Sequence, residues 1–117
     1  MNYVFVYGTL MRNQRNHGYL EEATYIGDGS LEGYEIYDLG RYPGIIEGHG
    51  TVSGEVYQVT EETEKRLDYL EEEGDLYLKK PEMVRLDNGE TVSAMVYVYN
   101  KSVLGCKKLE GRYGVNF

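Results

Sequence analysis

Val4-Phe5-Val6-Tyr7-Gly8-Thr9-Leu10 is a near-continuous apolar run that ends in a glycine turn. Nothing polar interrupts its aromatic and β-branched residues to face water, so it reads as a strand buried on both faces. Gly8 lets the backbone turn sharply and leaves no side chain over the neighbouring amides. Consecutive N–H groups in such a turn can point the same way and form a small anion-binding concavity. The plainer alternative is a strand that simply ends.

Beyond this strand, residues 11–17 are polar and basic and read as a surface loop, with a short helical piece around 19–22. Thr24-Tyr25-Ile26 predicts a short strand before a turn at Gly27-Asp28-Gly29, and Tyr34-Glu35-Ile36-Tyr37 predicts another. Gly40-Arg41-Tyr42-Pro43-Gly44 marks a turn, and Ile45-Ile46 runs into a polar break at Glu47-Gly48-His49-Gly50. Residues 52–59 alternate as a half-buried strand, with Val52, Gly54 and Val56 on one face and Glu55, Tyr57 and Val59 on the other. Gly54 inside it marks close approach by another segment or a ligand.

Thr60 suits an N-cap, and Glu61, Glu62 and Glu64 suit the positive end of a helix reaching about Glu72. The β pattern returns over 76–86. Asp87-Asn88-Gly89-Glu90 supplies the positive φ angles of a tight hairpin, and 91–99 is the returning strand. Pro81 cannot donate to a ladder, which puts its strand at an edge or a bulge. The tail from 101 to 117 reads as mostly irregular. Several strands, one helix and a hairpin make an α+β pattern: a curled or barrel-like mixed sheet with one principal helix.

The 117 residues suit one domain, 1–117, with a single core and one cleft. Fifteen glycines and thirteen tyrosines against two prolines and no tryptophan fit short strands, tight turns and amphipathic surfaces. A formal net charge of −8 argues against nucleic acid and anionic membranes as partners. No stretch approaches the ~20 apolar residues of a membrane span, and the first residues read as core strand rather than signal peptide. The single cysteine, Cys106, fits a reducing compartment, so a cytoplasmic monomer or homodimer is expected.

Standard catalytic equipment is scarce. His17 and His49 lack ligand-spaced partners, so no metal is expected, and there is no G-x-S-x-G elbow or P-loop. Lys107 and Lys108 beside Cys106 could lower its pKa, but a bystander thiol is the simpler reading.

The helix says more. With Leu67 at zero on a wheel of about 100° per residue, Leu70 falls about 60° to one side and Glu71 about 40° to the other. Glu72 and Glu73 land outside that stripe. Glu71 is therefore drawn inward, where burial raises its pKa and makes it a better proton acceptor. The alternative is a frayed helix end with Glu71 in water.

Phe5-Val6-Tyr7-Gly8-Thr9-Leu10, Asn16-His17, Tyr42-Pro43, Gly54-Glu55-Val56-Tyr57 and Leu67-Asp68-Tyr69-Leu70-Glu71, with Tyr77 six residues later, occur in that order. Together they resemble the γ-glutamylcyclotransferase-like superfamily, especially its γ-glutamylamine cyclotransferase branch and the AIG2-like proteins, over about residues 3 to 99. The resemblance implies a small mixed β-barrel with one principal helix and short flanking helical segments. It also implies cyclisation of a γ-glutamyl amine or amide to 5-oxoproline without a cofactor. Glu71 falls at the position of the family's acid/base, and Tyr7, Gly8, Thr9 and Leu10 at its substrate loop. Tyr42 and Tyr77 fall at cavity-lining positions. Glu72, Glu73 and the tail past Asn100 lie outside the motifs.

Such a reaction is intramolecular and gains a large effective molarity, so it needs little beyond a grip on the α-carboxylate, a proton acceptor and help for an oxyanion. Two other uses of the same cavity stay open: a non-catalytic binder of a small anionic metabolite, and an amidohydrolase with water as nucleophile.

Overall fold

The computed structural model describes residues 2–114. β1 (Asn2–Val6) lies between two partners, antiparallel to β3 (Pro43–Val59) and parallel to β5 (Thr91–Tyr99). β5 pairs with β4 (Tyr77–Leu86), β4 with β2 (Thr24–Asp38), and β2 returns to β3 along a long antiparallel ladder. The order β3-β1-β5-β4-β2 with the β2–β3 pairing closes a five-stranded mixed barrel, and the short β6 (Lys107–Lys108) adds to β2. Closure leaves β1 without a free edge.

Alternation explains why β1 has no polar residue between Val4 and Val6. Phe5 packs inside the barrel with Ile36, Ile45, Val56 and Val96. Val4 and Val6 point outward and are covered by Leu20, Tyr57 and Leu67. All three β1 side chains are buried, and each such burial contributes about 1.5–3 kcal/mol.

Leu67 belongs to α1 (Glu61–Leu70), the α-helix among the described residues, and Leu20 to a short 3₁₀ helix (His17–Leu20). Thr60 caps α1 as expected, its Oγ1 accepting the Thr63 N–H at 3.1 Å.

Four local expectations need correction. Gly27-Asp28-Gly29 is not a turn: β2 runs through it, with irregularities between Tyr25 and Gly27 and between Glu32 and Tyr34. Gly29 is small because a Cβ there would sit 2.9 Å from the Arg85 carbonyl oxygen of β4. The polar stretch from Glu47 to Gly50 is likewise inside β3, where a Cβ at Gly50 would meet the Tyr34 carbonyl oxygen at 2.9 Å. In both places glycine signals a close strand crossing rather than a chain reversal.

The segment 52–59 is buried on both faces rather than half-buried, because the helix side covers Tyr57 and Val59 while the barrel interior covers Val52 and Val56. Finally, α1 stops at Leu70, not Glu72. Glu72 turns left-handed at φ 50°, and the N–H groups of Glu72 and Glu73 bond back to the carbonyls of Tyr69 and Asp68 at 3.2 and 2.9 Å. This Schellman arrangement makes Glu71 the C-cap. The chain reverses at 87–90 as expected, although only Gly89 there takes a positive φ. The tail is mostly irregular through residue 114, with residues 115–117 outside the described ones. Pro81 lies where the pairing of β4 with β2 does not reach.

Candidate active site

Where β1 and α1 end and β3 and β4 begin, the chain forms a small, partly open hollow. All seven residues singled out from the sequence line it: Tyr7, Gly8, Thr9, Leu10, Tyr42, Glu71 and Tyr77. Four other lining residues are not among the sequence-derived site residues: Phe5, Val6, Pro43 and Tyr97. Phe5, Val6 and Pro43 stand within the motifs that carry the resemblance. Tyr97 carries no local signal beyond strand alternation.

One wall is backbone. After Tyr7 the chain turns through Gly8, where a Cβ would lie 2.7 Å from Pro43 Cγ, so only glycine lets the proline ring pack there. The loop then bonds to itself, Met11 N–H to the Gly8 carbonyl at 3.1 Å and Asn16 N–H to the Thr9 carbonyl at 2.9 Å. His17 Nδ1 contacts the Leu10 carbonyl at 2.9 Å. The N–H groups of Gly8, Thr9 and Leu10 have no acceptor among the described residues. Asn16 Nδ2 donates to Thr9 Oγ1 at 3.0 Å, which leaves the threonine proton free. This wall offers donors.

The facing groups are acceptors. The Tyr7 hydroxyl donates to the Tyr97 carbonyl at 2.6 Å, and the Tyr77 hydroxyl to the Pro43 carbonyl at 2.7 Å. A phenol has one proton, so once it is committed to the backbone its oxygen can only accept. The Tyr7 oxygen also has the Ile45 backbone N–H beside it, which leaves Tyr77 the freer acceptor. Both phenols are pushed well above their ordinary range, by burial first, with the Glu71 charge adding to each. They stay neutral at physiological pH. Glu71 is half-buried, and its desolvation pushes the carboxyl up from 4.5 to about 7. Its neighbours Glu72 and Glu73 are exposed, as expected, but past the end of α1 rather than on its outer face.

Glu71 is held by the end of α1, and α1 is tied to the barrel. Asp68, one turn earlier, accepts the Tyr97 hydroxyl at 2.6 Å and Lys79 Nζ at 2.9 Å, while Lys79 also bonds Glu64 at 2.7 Å. Lys79 therefore fastens two successive turns of the helix to β4. Tyr97 is fixed at both ends, its hydroxyl on Asp68 and its carbonyl under Tyr7.

A second, outer hollow shares Thr9, Tyr42, Glu71 and Tyr77 with the first and adds Asn16, Leu70, Glu72 and Leu76. Glu71 thus borders both. Among the described residues no group of three or more His, Cys, Asp or Glu side chains is placed to hold a metal ion. No helix there is long and apolar enough to cross a membrane.

Donors on one wall and acceptors with a proton-hungry carboxyl on the other suit a zwitterion, with a carboxylate at the loop and an ammonium at Glu71. Comparison with known proteins shows the family. A family model described as "Gamma-glutamyl cyclotransferase, AIG2-like" matches residues 4–114. The chain is 39% identical over 107 residues to the Gamma-glutamylcyclotransferase family protein YtfP of Escherichia coli (strain K12), covering 92% of this chain and 90% of that one. It is 38% identical over 104 residues to the Gamma-L-glutamyl-butirosin B gamma-glutamyl cyclotransferase of Niallia circulans, covering 84% of this chain and 67% of that protein. Among solved structures, an aig2-like protein from Mus musculus superimposes with a TM-score of 0.81 at 29% identity, over 95% of this chain and 87% of that one.

Proposed function

Because this chain belongs to the AIG2-like gamma-glutamyl cyclotransferase family, we propose that its hollow cyclises a γ-glutamyl amine or amide to 5-oxoproline and releases the free amine. The observation that carries this reading is the pairing of Glu71, its carboxyl pushed up to about 7, with the unpartnered N–H groups of Gly8, Thr9 and Leu10 around one hollow.

The substrate's α-carboxylate sits on the loop N–H groups, and its α-ammonium faces Glu71 and the oxygens of Tyr7 and Tyr77. The Glu71 carboxylate takes one proton from the ammonium. The freed nitrogen forms a bond to the γ-carbonyl carbon of the same molecule, so the attacking group is already in place. Negative charge moves to the carbonyl oxygen, where the Thr9 hydroxyl, the loop donor not taken up by the carboxylate, stabilises it. Glu71 hands its proton to the leaving nitrogen as the old C–N bond breaks. It then takes the second proton of the ring nitrogen, which ends on the released amine. The phenols of Tyr7 and Tyr77 have no proton to offer the oxyanion, so that duty falls to the loop. The outer hollow bordering Glu71 supports an exit for the amine.

The test is product identity. Incubated with γ-glutamyl-lysine, other γ-glutamyl amines and γ-glutamyl dipeptides, the protein should release 5-oxoproline with at least one of them. Release of glutamate would identify a hydrolase instead. Binding without turnover across the panel would identify a binder of small anionic metabolites.

A further inference from the structure

The mechanism above makes no use of Glu55, a carboxylate only 6% exposed in the middle of β3. A buried carboxylate is costly unless its oxygens are occupied, and here three donors occupy them. Its Oε1 accepts the backbone N–H of Arg12 at 3.1 Å and the Tyr57 hydroxyl at 2.9 Å, and its Oε2 accepts Arg12 Nε at 3.1 Å. The Arg12 guanidinium is held in turn by Asp28 at 2.8 Å and lies 4.5 Å over the Tyr25 ring.

Arg12 is the next residue after the Gly8–Met11 turn, so its N–H is the point where the site loop is fastened to the barrel wall. β1 and Glu55 are already in register, Val6 opposite Glu55. Gly54 has no side chain because a Cβ would strike the Val6 carbonyl oxygen, which keeps β3 close enough for Glu55 to reach the loop.

We propose that Glu55 is a positioning residue, a buried clasp on the Arg12 backbone that holds the loop with its Gly8, Thr9 and Leu10 N–H groups along the hollow. The inference rests on the reading that those N–H groups hold the substrate's carboxylate, but it can fail separately. The bond that matters is to the backbone, which distinguishes the clasp from an ordinary ion pair with the arginine side chain.

The experiment measures 5-oxoproline binding by calorimetry, KM and kcat for a γ-glutamyl amine, and amide hydrogen exchange of the ligand-free chain. Glu55→Ala should raise Kd and KM about tenfold, the loss of one buried hydrogen bond, with kcat changed less and the pH midpoint of kcat unmoved. Glu55→Gln should restore both to within about threefold, since the amide oxygen still accepts the Arg12 N–H. Arg12→Lys, which keeps the backbone N–H and a positive charge beside the buried carboxylate, should also stay within about threefold.

If Glu55→Ala does not fold, Glu55→Asp retains the charge with a shorter reach and should raise KM to an intermediate value. In hydrogen exchange the Arg12 amide should be slow in the wild type and fast in the alanine or aspartate variant. Equal exchange at Arg12, or wild-type Kd and KM in a folded alanine or aspartate variant, would overturn the clasp. A wild type that neither binds 5-oxoproline nor turns over would overturn the cyclotransferase reading, and the exchange rates would still decide the clasp.

Discussion

The two walls of the hollow do opposite chemistry by opposite means. The loop after β1 presents donors, and every one but the Thr9 hydroxyl is backbone, so side-chain identity matters there mainly by being absent at Gly8. The end of α1 and the start of β4, together with the Tyr7 side chain just past β1, present acceptors, and each depends on a tertiary partner: Tyr77 on the Pro43 carbonyl, Tyr7 on the Tyr97 carbonyl, and α1 on Lys79 through Asp68. A donor wall made of backbone is rigid and indifferent to most substitutions. An acceptor wall made of side chains can be tuned, and burial has tuned Glu71 up to about 7.

The strongest way to break the contrast is Gly8→Ala. Its new methyl would lie 2.7 Å from Pro43 Cγ and 2.8 Å from Pro43 Cδ, so either the loop or the Tyr42-Pro43 turn must move. Overpacking of this kind costs about 1–3 kcal/mol, and kcat/KM should fall at least about tenfold with the displaced donors. Steady-state kinetics with thermal unfolding measures both.

A smaller effect reads the other wall through stability. Glu71 has its carboxyl raised from 4.5 to about 7 in the folded chain, so the folded state binds more protons than the unfolded one between those values. The stability this confers is fully present below about pH 4 and is lost as pH rises through 7. Glu71→Gln cannot ionise, and its unfolding free energy relative to wild type should improve by about 1–3 kcal/mol between pH 4 and pH 8. Denaturant unfolding at the two pH values tests this, and a constant difference would place Glu71 in water.

The smallest effect belongs to the helix end itself. Glu72 occupies at φ 50° the left-handed position that glycine usually fills. Glu72→Gly should therefore stabilise the fold by about 0.5–1 kcal/mol in the same assay.

The contrast between the walls also describes what could be read from residues alone. The donor wall was legible because a buried run ending at Gly8 is a local pattern, and Glu71 was legible because helical spacing sets it beside Leu67. Tyr97, Asp68 and Lys79 were not, since their roles exist only once the barrel closes and brings β5 and β4 against α1. Glu55 stood in a quoted motif, but its partner is a backbone N–H forty-three positions away in sequence. The full length of β2 and β3 is hidden for a related reason: Gly29, Gly48 and Gly50 look locally like turns, whereas here they let strands and side chains pack closely.

The central claim is that Glu71 is the group whose ionisation switches on cyclisation. The rate of 5-oxoproline release from a reactive γ-glutamyl amine should rise about tenfold per pH unit below a midpoint near 7 and level off above it, and Glu71→Gln should lose turnover while still binding 5-oxoproline. A flat profile across that range, or undiminished release by the Glu71→Gln variant, would contradict the account.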